Sequence, residues 1–491
     1  MNEFNLNALD QKAISILGVK GVVKALSRQS VFQRLPKYVS EYLIAKYVKP
    51  ESWQSDIEKI KSKIKELLPD NDEKEIVKSK LLATGKATLI DCVSARVDLK
   101  KSSRFASIPA IGENQALINQ TICDSNHGLL NGGLWGTLTV EFNPDMEPKH
   151  PIQITKFTPF QIGIPDVAEY CNMRGKFSTD EWCDLVLQSA GYNATAFPER
   201  RTRMLLFSRM IPLVERNVNM LELGPRQTGK TFLLRNLSPR VFTISGGKAS
   251  PANLFVNLTT KQVGILGSRK VVVFDEIAHA DFDNQGETIS TLKDYMESGR
   301  FSRGSMDFAS DASILYTGNI DVDGNQPHNK YRHLLEPLPE QLIDTAFQDR
   351  IHGFIPGWEM PKLNTASVSN GVGMLTDYFG EVLVKLRDES FIEKVKEIPL
   401  QAGLNNRDEK AIYKIGSGLM KIMYPDGKVT NEELLEIVSF ACELRQRVHN
   451  QLVKIAPGEF KPKAIAPEGV THTALDLVGR TLPSQDDAFK I

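Results

Sequence analysis

Two short stretches between Asn217 and Glu276 narrow the folds open to this chain more than any other feature. The first is Val218-Asn219-Met220-Leu221-Glu222-Leu223, an apolar run of strand type, followed by Gly224-Pro225-Arg226-Gln227-Thr228-Gly229-Lys230-Thr231 and then Phe232-Leu233-Leu234-Arg235. Strand, glycine-bounded loop and helix start, in that order, make a phosphate cradle. The loop's backbone N–H groups wrap the phosphates, and glycine at 224 and 229 keeps side chains from blocking them. Pro225, Arg226, Gln227 and Thr228 complete the cradle, Lys230 reaches the β- and γ-phosphates, and the Thr231 hydroxyl binds Mg²⁺. A helix starting here adds its positive dipole end to the same anion.

The second stretch is Val271-Val272-Val273-Phe274-Asp275-Glu276. A run this continuously apolar suits a strand buried on both faces of a parallel sheet. It ends in two carboxylates. Asp275 is placed to hold Mg²⁺, directly or through water, and Glu276 to polarise the water that attacks the γ-phosphate. An ordinary strand ending in acids would look the same locally; the loop upstream gives these acids a substrate. ATP and Mg²⁺ are therefore the expected cofactors.

A chain of 491 residues divides into about three domains. Lys+Arg 60 against Asp+Glu 60 leaves no net charge, so a nucleic-acid surface would have to be a local patch. Cys92, Cys123, Cys171, Cys183 and Cys442 are scattered without CxxC spacing. That argues for a reducing cytoplasm and against a disulfide framework or a zinc site. No charged-then-apolar signal opens the sequence and no apolar run is long enough to span a bilayer, so a cytoplasmic location without membrane contact is expected.

In chain order, residues 1–80 read as helices. Ile16, Val19, Val22, Val23 and Leu26 recur at helical spacing, as do Val39, Tyr42, Leu43, Ala45 and Tyr47. Lys59, Lys61, Lys63 and Lys65 alternate with Ile60, Ile64, Leu67 and Leu68 in a further amphipathic helix, whose lysine face is either solvated surface or a DNA contact. Residues 81–190 turn β-rich, with Ala87 to Val97 and the alternating Thr137-Leu138-Thr139-Val140-Glu141-Phe142 before an Asn143-Pro144-Asp145 turn. Between these strands lie Arg96, Lys100, Lys101 and Arg104 beside Phe105, then Asn126-His127-Gly128 and Asn131-Gly132-Gly133. Basic residues with an aromatic and a glycine-rich loop suit phosphate-backbone contact, and a solvated hairpin tip is the plain alternative. Residues 191–365 hold the nucleotide core. Arg200, Arg201, Arg203, Arg209 and Arg216 cluster before its first strand, where a neighbouring subunit, a nucleotide or acidic packing partners would explain them equally.

Beyond Glu276, Leu292, Tyr295 and Met296 form a short helix, interrupted by Gly299-Arg300-Phe301-Ser302-Arg303-Gly304. Ala312-Ser313-Ile314-Leu315-Tyr316-Thr317-Gly318-Asn319 is another buried strand ending in an amide. It resembles the strand that, in ring ATPases of the AAA+ class, ends in a polar residue holding the attacking water, which makes Asn319 a first sensor. The insertion around Phe301 to Asp311 sits where some of those proteins carry a pore hairpin, making Arg303 a DNA contact or else a surface-loop residue. Asp349-Arg350 before an apolar strand resembles the position of the arginine that enters the neighbour's site; a structural ion pair with Asp349 is the other reading. Residues 366–455 read as a helical lid, with Arg407 as a second sensor touching the bound phosphates, and Thr430-Asn431-Glu432-Glu433 as a capping box. Residues 456–491 read as linker and tail. The expected fold class is α/β: an AAA+ P-loop core with a helical lid, preceded by an α+β DNA-binding region.

Ser245-Gly246-Gly247-Lys248-Ala249-Ser250, Phe274-Asp275-Glu276, Tyr316-Thr317-Gly318-Asn319, Leu129-Leu130-Asn131-Gly132-Gly133-Leu134-Trp135 and, above all, Asp349-Arg350-Ile351-His352-Gly353-Phe354-Ile355-Pro356-Gly357-Trp358 together resemble the BrxL family, Lon-like AAA+ proteins of bacteriophage-exclusion (BREX) defence systems. The resemblance covers most of the chain to about residue 455. It implies a bacterial antiphage ATPase that forms hexameric rings, or such rings stacked into a dodecamer, encircling double-stranded DNA much as minichromosome-maintenance helicases do, with other BREX proteins as partners. The family's name comes from a C-terminal Lon-type peptidase-like domain. Too few residues follow Lys454 to bury such a core, and Ser484 has nothing evident to activate it, so no proteolysis is expected of this chain. Three functions fit: a DNA motor or clamp, a protein unfoldase, and a nucleotide-gated scaffold that brings defence proteins to DNA. Phe255, the one aromatic placed for an unfoldase pore loop, sits in an apolar setting that reads as core.

Overall fold

The computed structural model describes residues 6–470 apart from 50–51, 71, 131, 145–149, 162, 164, 247 and 283–284. Asn131, Asp145 and Gly247 of the segments above, and the tail beyond 470 with Ser484, lie outside the described residues. The chain forms two compact units, Val19–Gly163 with the first six residues, and Ile164–Ile491 joined by Asn7–Gly18.

In the first unit, helices Lys37–Tyr47, Trp53–Leu67 and Lys74–Thr84 precede a closed five-stranded barrel. Its strands are β1 (Lys86–Asp98), β2 (Ser103–Ile108), β3 (Glu113–Ile118), β4 (Leu134–Phe142) and β5 (Ile152–Pro159), in the order β1-β2-β3-β5-β4. β1 closes the barrel because it is long enough to change partner. Lys86 to Val93 pair with β4, and Ser94 to Asp98 pair with β2. β3 and β5 form the parallel contact; the β4–β5 ladder slips by one residue between Thr139 and Val140, a bulge that bends the sheet toward closure. Leu89, Val93, Ala106, Ile108, Leu138, Val140 and Ile154 fill the interior. The lysine-bearing helix Trp53–Leu67 buries Ile57, Ile60 and Ile64, while Lys61 and Lys63 pair with Glu58 and Glu66 along its outer face.

The helical spacing from Ile16 to Leu26 does not make one helix. Ala8–Leu17 stops at Gly18, whose φ of 52° suits glycine, and Gly21–Val23 is extended. That short helix belongs to the second unit, held there by Lys12 on Glu181 at 2.6 Å and by the Asp10 carboxylate accepting the Val372 N–H at 2.7 Å.

The second unit is built on β6 (Asn219–Gly224), β7 (Val241–Ser245), β8 (Val271–Asp275), a hairpin of β9 (Arg300–Arg303) and β10 (Met306–Ala309), β11 (Ser313–Asn319) and β12 (Gly353–Pro356). Outside the hairpin the strands make one parallel sheet, ordered β12-β6-β11-β8-β7. Parallel pairing demands covered faces, which is why β6, β8 and β11 are apolar almost throughout. The expected boundary at residue 190 falls elsewhere. Helices Val167–Arg174 and Thr179–Ser189 already belong to this unit, since Trp182 is fully buried and donates to the Ile422 carbonyl at 3.1 Å.

The helices after residue 376 do not form a separate lid. Thr376–Lys385 lies so close to the helix after the nucleotide loop that a Cβ at Gly380 would stand 1.9 Å from the Leu237 carbonyl oxygen. Asn406–Met423 and Asn431–Ile455 brace the amino end of the sheet: Lys421 donates to the Val214 carbonyl at 3.1 Å, and Arg445 to that of Ile351 at 2.7 Å. The capping box at Thr430 forms, with the Glu433 N–H on Thr430 Oγ1 at 3.2 Å and the Thr430 N–H on Glu433 Oε2 at 2.9 Å.

Candidate nucleotide site

The turn after β6 is shaped by two residues in the left-handed region, Gln227 at φ 71° and Gly229 at φ 72°. At Gly229 the left-handed backbone disfavours any side chain, and a Cβ there would also displace the tip of Leu363, whose Cδ1 would lie 2.4 Å away. Gly224 is confined too: a Cβ would stand 2.5 Å from the Gly357 backbone. The segment after β12 closes over the loop, with the Leu363 N–H donating to the Gln227 carbonyl at 2.8 Å. From below, the fully buried Arg209 holds the loop to the sheet. Its Nε and Nη2 donate to Glu222 at 3.0 and 2.5 Å, and its Nη1 to the Thr228 carbonyl at 2.9 Å. This fork pairing leaves the guanidinium charge matched within the sheet while a third donor fixes the loop.

Lys230 Nζ donates to the carbonyls of Gly224 and Pro225 at 3.0 and 2.8 Å and to Asn319 Oδ1 at 3.0 Å. All three acceptors are uncharged, and burial pulls the lysine below its ordinary pKa. The ammonium is thus pre-positioned for an anion. Asn319 stands beside Gly224 in the β11–β6 register, and Thr317 opposite Glu222. Thr317 Oγ1 donates to Asp275 Oδ1 at 2.9 Å, the Glu276 N–H reaches the same oxygen at 3.1 Å, and Oδ2 lies 3.7 Å from Arg235. The carboxylate is oriented through one oxygen, and the other faces the Arg235 guanidinium. Glu276 follows at φ 52°, a left-handed turn that ends β8 and carries its side chain into solvent. Thr231 precedes the short helix Phe232–Leu237 without capping it through its hydroxyl. These donors and carboxylates suit ATP with Mg²⁺: uncharged oxygens around the lysine, and a carboxylate whose second oxygen is held, among the described residues, only by the distant Arg235 guanidinium.

The remaining expected residues fall in three places. Arg350 lies at the opposite end of the sheet, since its carbonyl accepts from Asn219 Nδ2 at 3.1 Å at the start of β6. Arg407 does not reach down to this loop from a lid; it sits beside Arg350, donating to Glu297 at 3.1 Å and to Asp349 at 2.7 Å. The capping of the helix at Asn405 and Asp408 sets it there. Arg303 is tied within the chain, to Glu287 at 3.1 Å and to the Val256 carbonyl at 2.5 Å, and is only 17% exposed, so its guanidinium is not free for DNA. Arg96, Lys100, Lys101 and Arg104 all lie on the β1–β2 hairpin, but Arg104 stands opposite Val97 and so on the other face from Arg96, which stands opposite Phe105. There Lys101 and Arg96 lie over the Phe105 ring at 5.3 and 5.8 Å, and Leu99 at the tip is 86% exposed.

The arginine cluster before β6 finds acidic partners: Arg200 with Glu436, Arg201 with Glu359 and Glu443, Arg203 with Asp184, Arg209 with Glu222, and Arg216 with Asp388. Phe255 is fully buried against Phe301. Thr317 and Leu363 join the site without a sequence expectation, whereas Arg209, one of the five arginines expected to meet a subunit, a nucleotide or acidic partners, meets Glu222 and the nucleotide loop. For Arg209 a signal existed: Glu222 is a lone acid inside an apolar strand, and a buried carboxylate demands a buried cation. For Leu363 none did.

Residues 152–466 match the family described as Lon-like protease BrxL-like, ATPase domain. The chain belongs to the BrxL-like family. Residues 16–142 match a second description, BREX system Lon protease-like protein BrxL N-terminal. The chain is similar to Lon-like protease BrxL of Escherichia coli O9:H4 (strain HS), 38% identical over 432 residues, which are 87% of this chain and 62% of that one. It is equally similar to Lon-like protease BrxL of Bacillus cereus (strain H3081.97), 38% identical over 437 residues, 87% of this chain and 64% of the other. It therefore spans less than two thirds of the length of these BrxL relatives. The nucleotide loop, Asp275, Glu276 and Asn319 all fall within the BrxL-type ATPase domain. Among the described residues no helix is long and apolar enough to cross a membrane.

Proposed function

We propose that this chain is an ATP-hydrolysing AAA+ subunit that assembles into a hexameric ring, alone or stacked into a dodecamer, and encircles or moves along double-stranded DNA in a BREX antiphage system. The observation that carries the ATPase reading is the Lys230 ammonium, suspended between two loop carbonyls and Asn319 at the carboxyl ends of adjacent strands. Bound Mg²⁺ supplies neutralising charge to the β- and γ-phosphates. Lys230 exchanges its uncharged acceptors for phosphate oxygens, Thr231 and Asp275 hold the metal, Asn319 and Glu276 orient the water, and Glu276 takes its proton. Arg350, at the far end of the sheet from its own loop, serves the neighbour's nucleotide.

The barrel supports the DNA half of the reading. Its order, with a long first strand shared between two neighbours, is that of the OB fold, whose strand 1–2 loop is one of the usual nucleic-acid contacts. Here that loop carries Lys100 and Lys101, with Arg96 beside Lys101 on the Phe105 ring and Arg104 on the hairpin's other face. The test compares ATP hydrolysis with and without double-stranded DNA in wild type and Glu276→Gln, with sizing in ATP. The expected result is DNA-stimulated turnover, a loss of about a hundredfold or more in the variant, and a DNA-bound ring. Turnover that ignores DNA and rises with unfolded protein would overturn the DNA assignment.

A further inference from the structure

Arg235 stands one turn into the helix that follows the nucleotide loop, its N–H donating to the Thr231 carbonyl at 3.3 Å. Its side chain reaches the edge strand of the sheet. There Nη2 donates to Ser245 Oγ at 2.7 Å and Nε to Thr243 Oγ1 at 3.3 Å. Thr243 and Ser245 are two apart on β7 and so share a face, and Ser245 stands opposite Asp275 in the β7–β8 register. The same Nη2 therefore comes to 3.7 Å from Asp275 Oδ2, the carboxylate oxygen that neither Thr317 nor the Glu276 N–H holds.

The partners decide what this arginine does. Arg209, which holds the loop to the sheet, is buried and grips Glu222 through two hydrogen bonds. Arg235 is held differently: it rests on two uncharged hydroxyls, is 49% exposed, and faces its carboxylate across a gap too long for a hydrogen bond. An ion pair so placed is weak. Asp275 can change partner, and the arginine keeps both hydroxyls when it does. Lys230 makes no such contact, since its acceptors are the loop carbonyls and Asn319. Arg235 is thus the cation poised over the oxygen of Asp275 that a metal would use. Two cations repel each other at one carboxylate oxygen, so the arginine steadies the empty Asp275 and weakens its hold on a divalent ion.

We propose that Arg235 is a positioning residue that guards Asp275, holding its free oxygen while the nucleotide loop is empty and yielding it to the Mg²⁺ that arrives with the nucleoside triphosphate. The proposal rests on the ATPase reading above, in which Asp275 holds that metal. The experiment measures binding rather than turnover. The fluorescent analogue mant-ATP is titrated with Mg²⁺ and followed by anisotropy, in full chains carrying Glu276→Gln so that the nucleotide stays intact. Arg235→Gln should lower the Mg²⁺ concentration at half-saturation by about threefold, the scale of a half-exposed ion pair. Arg235→Lys, which keeps a cation on the same helix, should stay near the parent, and binding in EDTA should be little changed in all three. A loss of packing alone would not lower the metal requirement. If Arg235→Gln leaves the Mg²⁺ midpoint unchanged or raises it, the guard is overturned while the ATPase reading stands. If it abolishes binding in EDTA, Arg235 acts on the phosphates themselves, and the proposal is likewise overturned. If the parent binds mant-ATP with no dependence on Mg²⁺, the metal assignment of Asp275 falls and the proposal with it.

Discussion

Arg209 reaches the nucleotide loop from outside it, and its partner Glu222 sits in the middle of a strand that is otherwise apolar. Removing either partner leaves a full charge buried without its match. Glu222→Ala should therefore cost about 3–5 kcal/mol of stability by denaturant unfolding, and nucleotide affinity should fall as well because Arg209, without its carboxylate, is no longer fixed on the Thr228 carbonyl. At this scale the sequence was most legible where the chemistry is local. Lys230, Thr231, Asp275 and Glu276 are named by their own neighbours in the chain, and Asn319 by the end of an apolar run. Arg407 was harder. A polar helix start says that a side chain stands in the first turn but not which end of the sheet the turn faces, and the packing of Asn406–Met423 on the amino end decides that.

Elements show the same division. β1 and β4 were readable as strands from alternation and β-branched content, but the closure of five strands into a barrel depends on β1 changing partner at Ser94, which leaves no local mark. The β1–β2 hairpin is where the DNA reading can be measured. Lys100→Glu with Lys101→Glu should weaken binding to duplex DNA of any sequence and reduce the steepness of its log–log salt dependence by about 2, read by anisotropy titration from low to moderate salt. The helix Asn406–Met423 carries a different signature. Lys414 donates to the carbonyls of Arg216 and Asn217, and burial, with Lys410 nearby, lowers its pKa to about 8 from 10.5. Between those values the unfolded chain keeps a proton that the folded one has released, so stability rises with pH from about 8 to 10.5; below 8 the penalty is constant. It is on the order of 3 kcal/mol. Unfolding of Lys414→Met at a series of pH values should show this rise flattened relative to wild type.

At the scale of the whole molecule, a chain with Lys+Arg 60 and Asp+Glu 60 has no long-range field to draw DNA in, so the proposed DNA binding would have to rest on patches such as the hairpin. The order in which the chain visits its two units matters as much. Asn7–Gly18 belongs to the unit that resumes at Ile164, so Val19–Gly163 is an insertion with both of its ends tied to the ATPase unit. A module on a single tether can spin about it at no cost. One tied at both ends cannot turn repeatedly without winding its two leads around each other. If the proposed ring exists and its barrels grip a double helix, the rotation that the DNA screw imposes on anything tracking the groove would be passed as torque into the nucleotide-binding unit, and such a ring would have to turn with the DNA or release it.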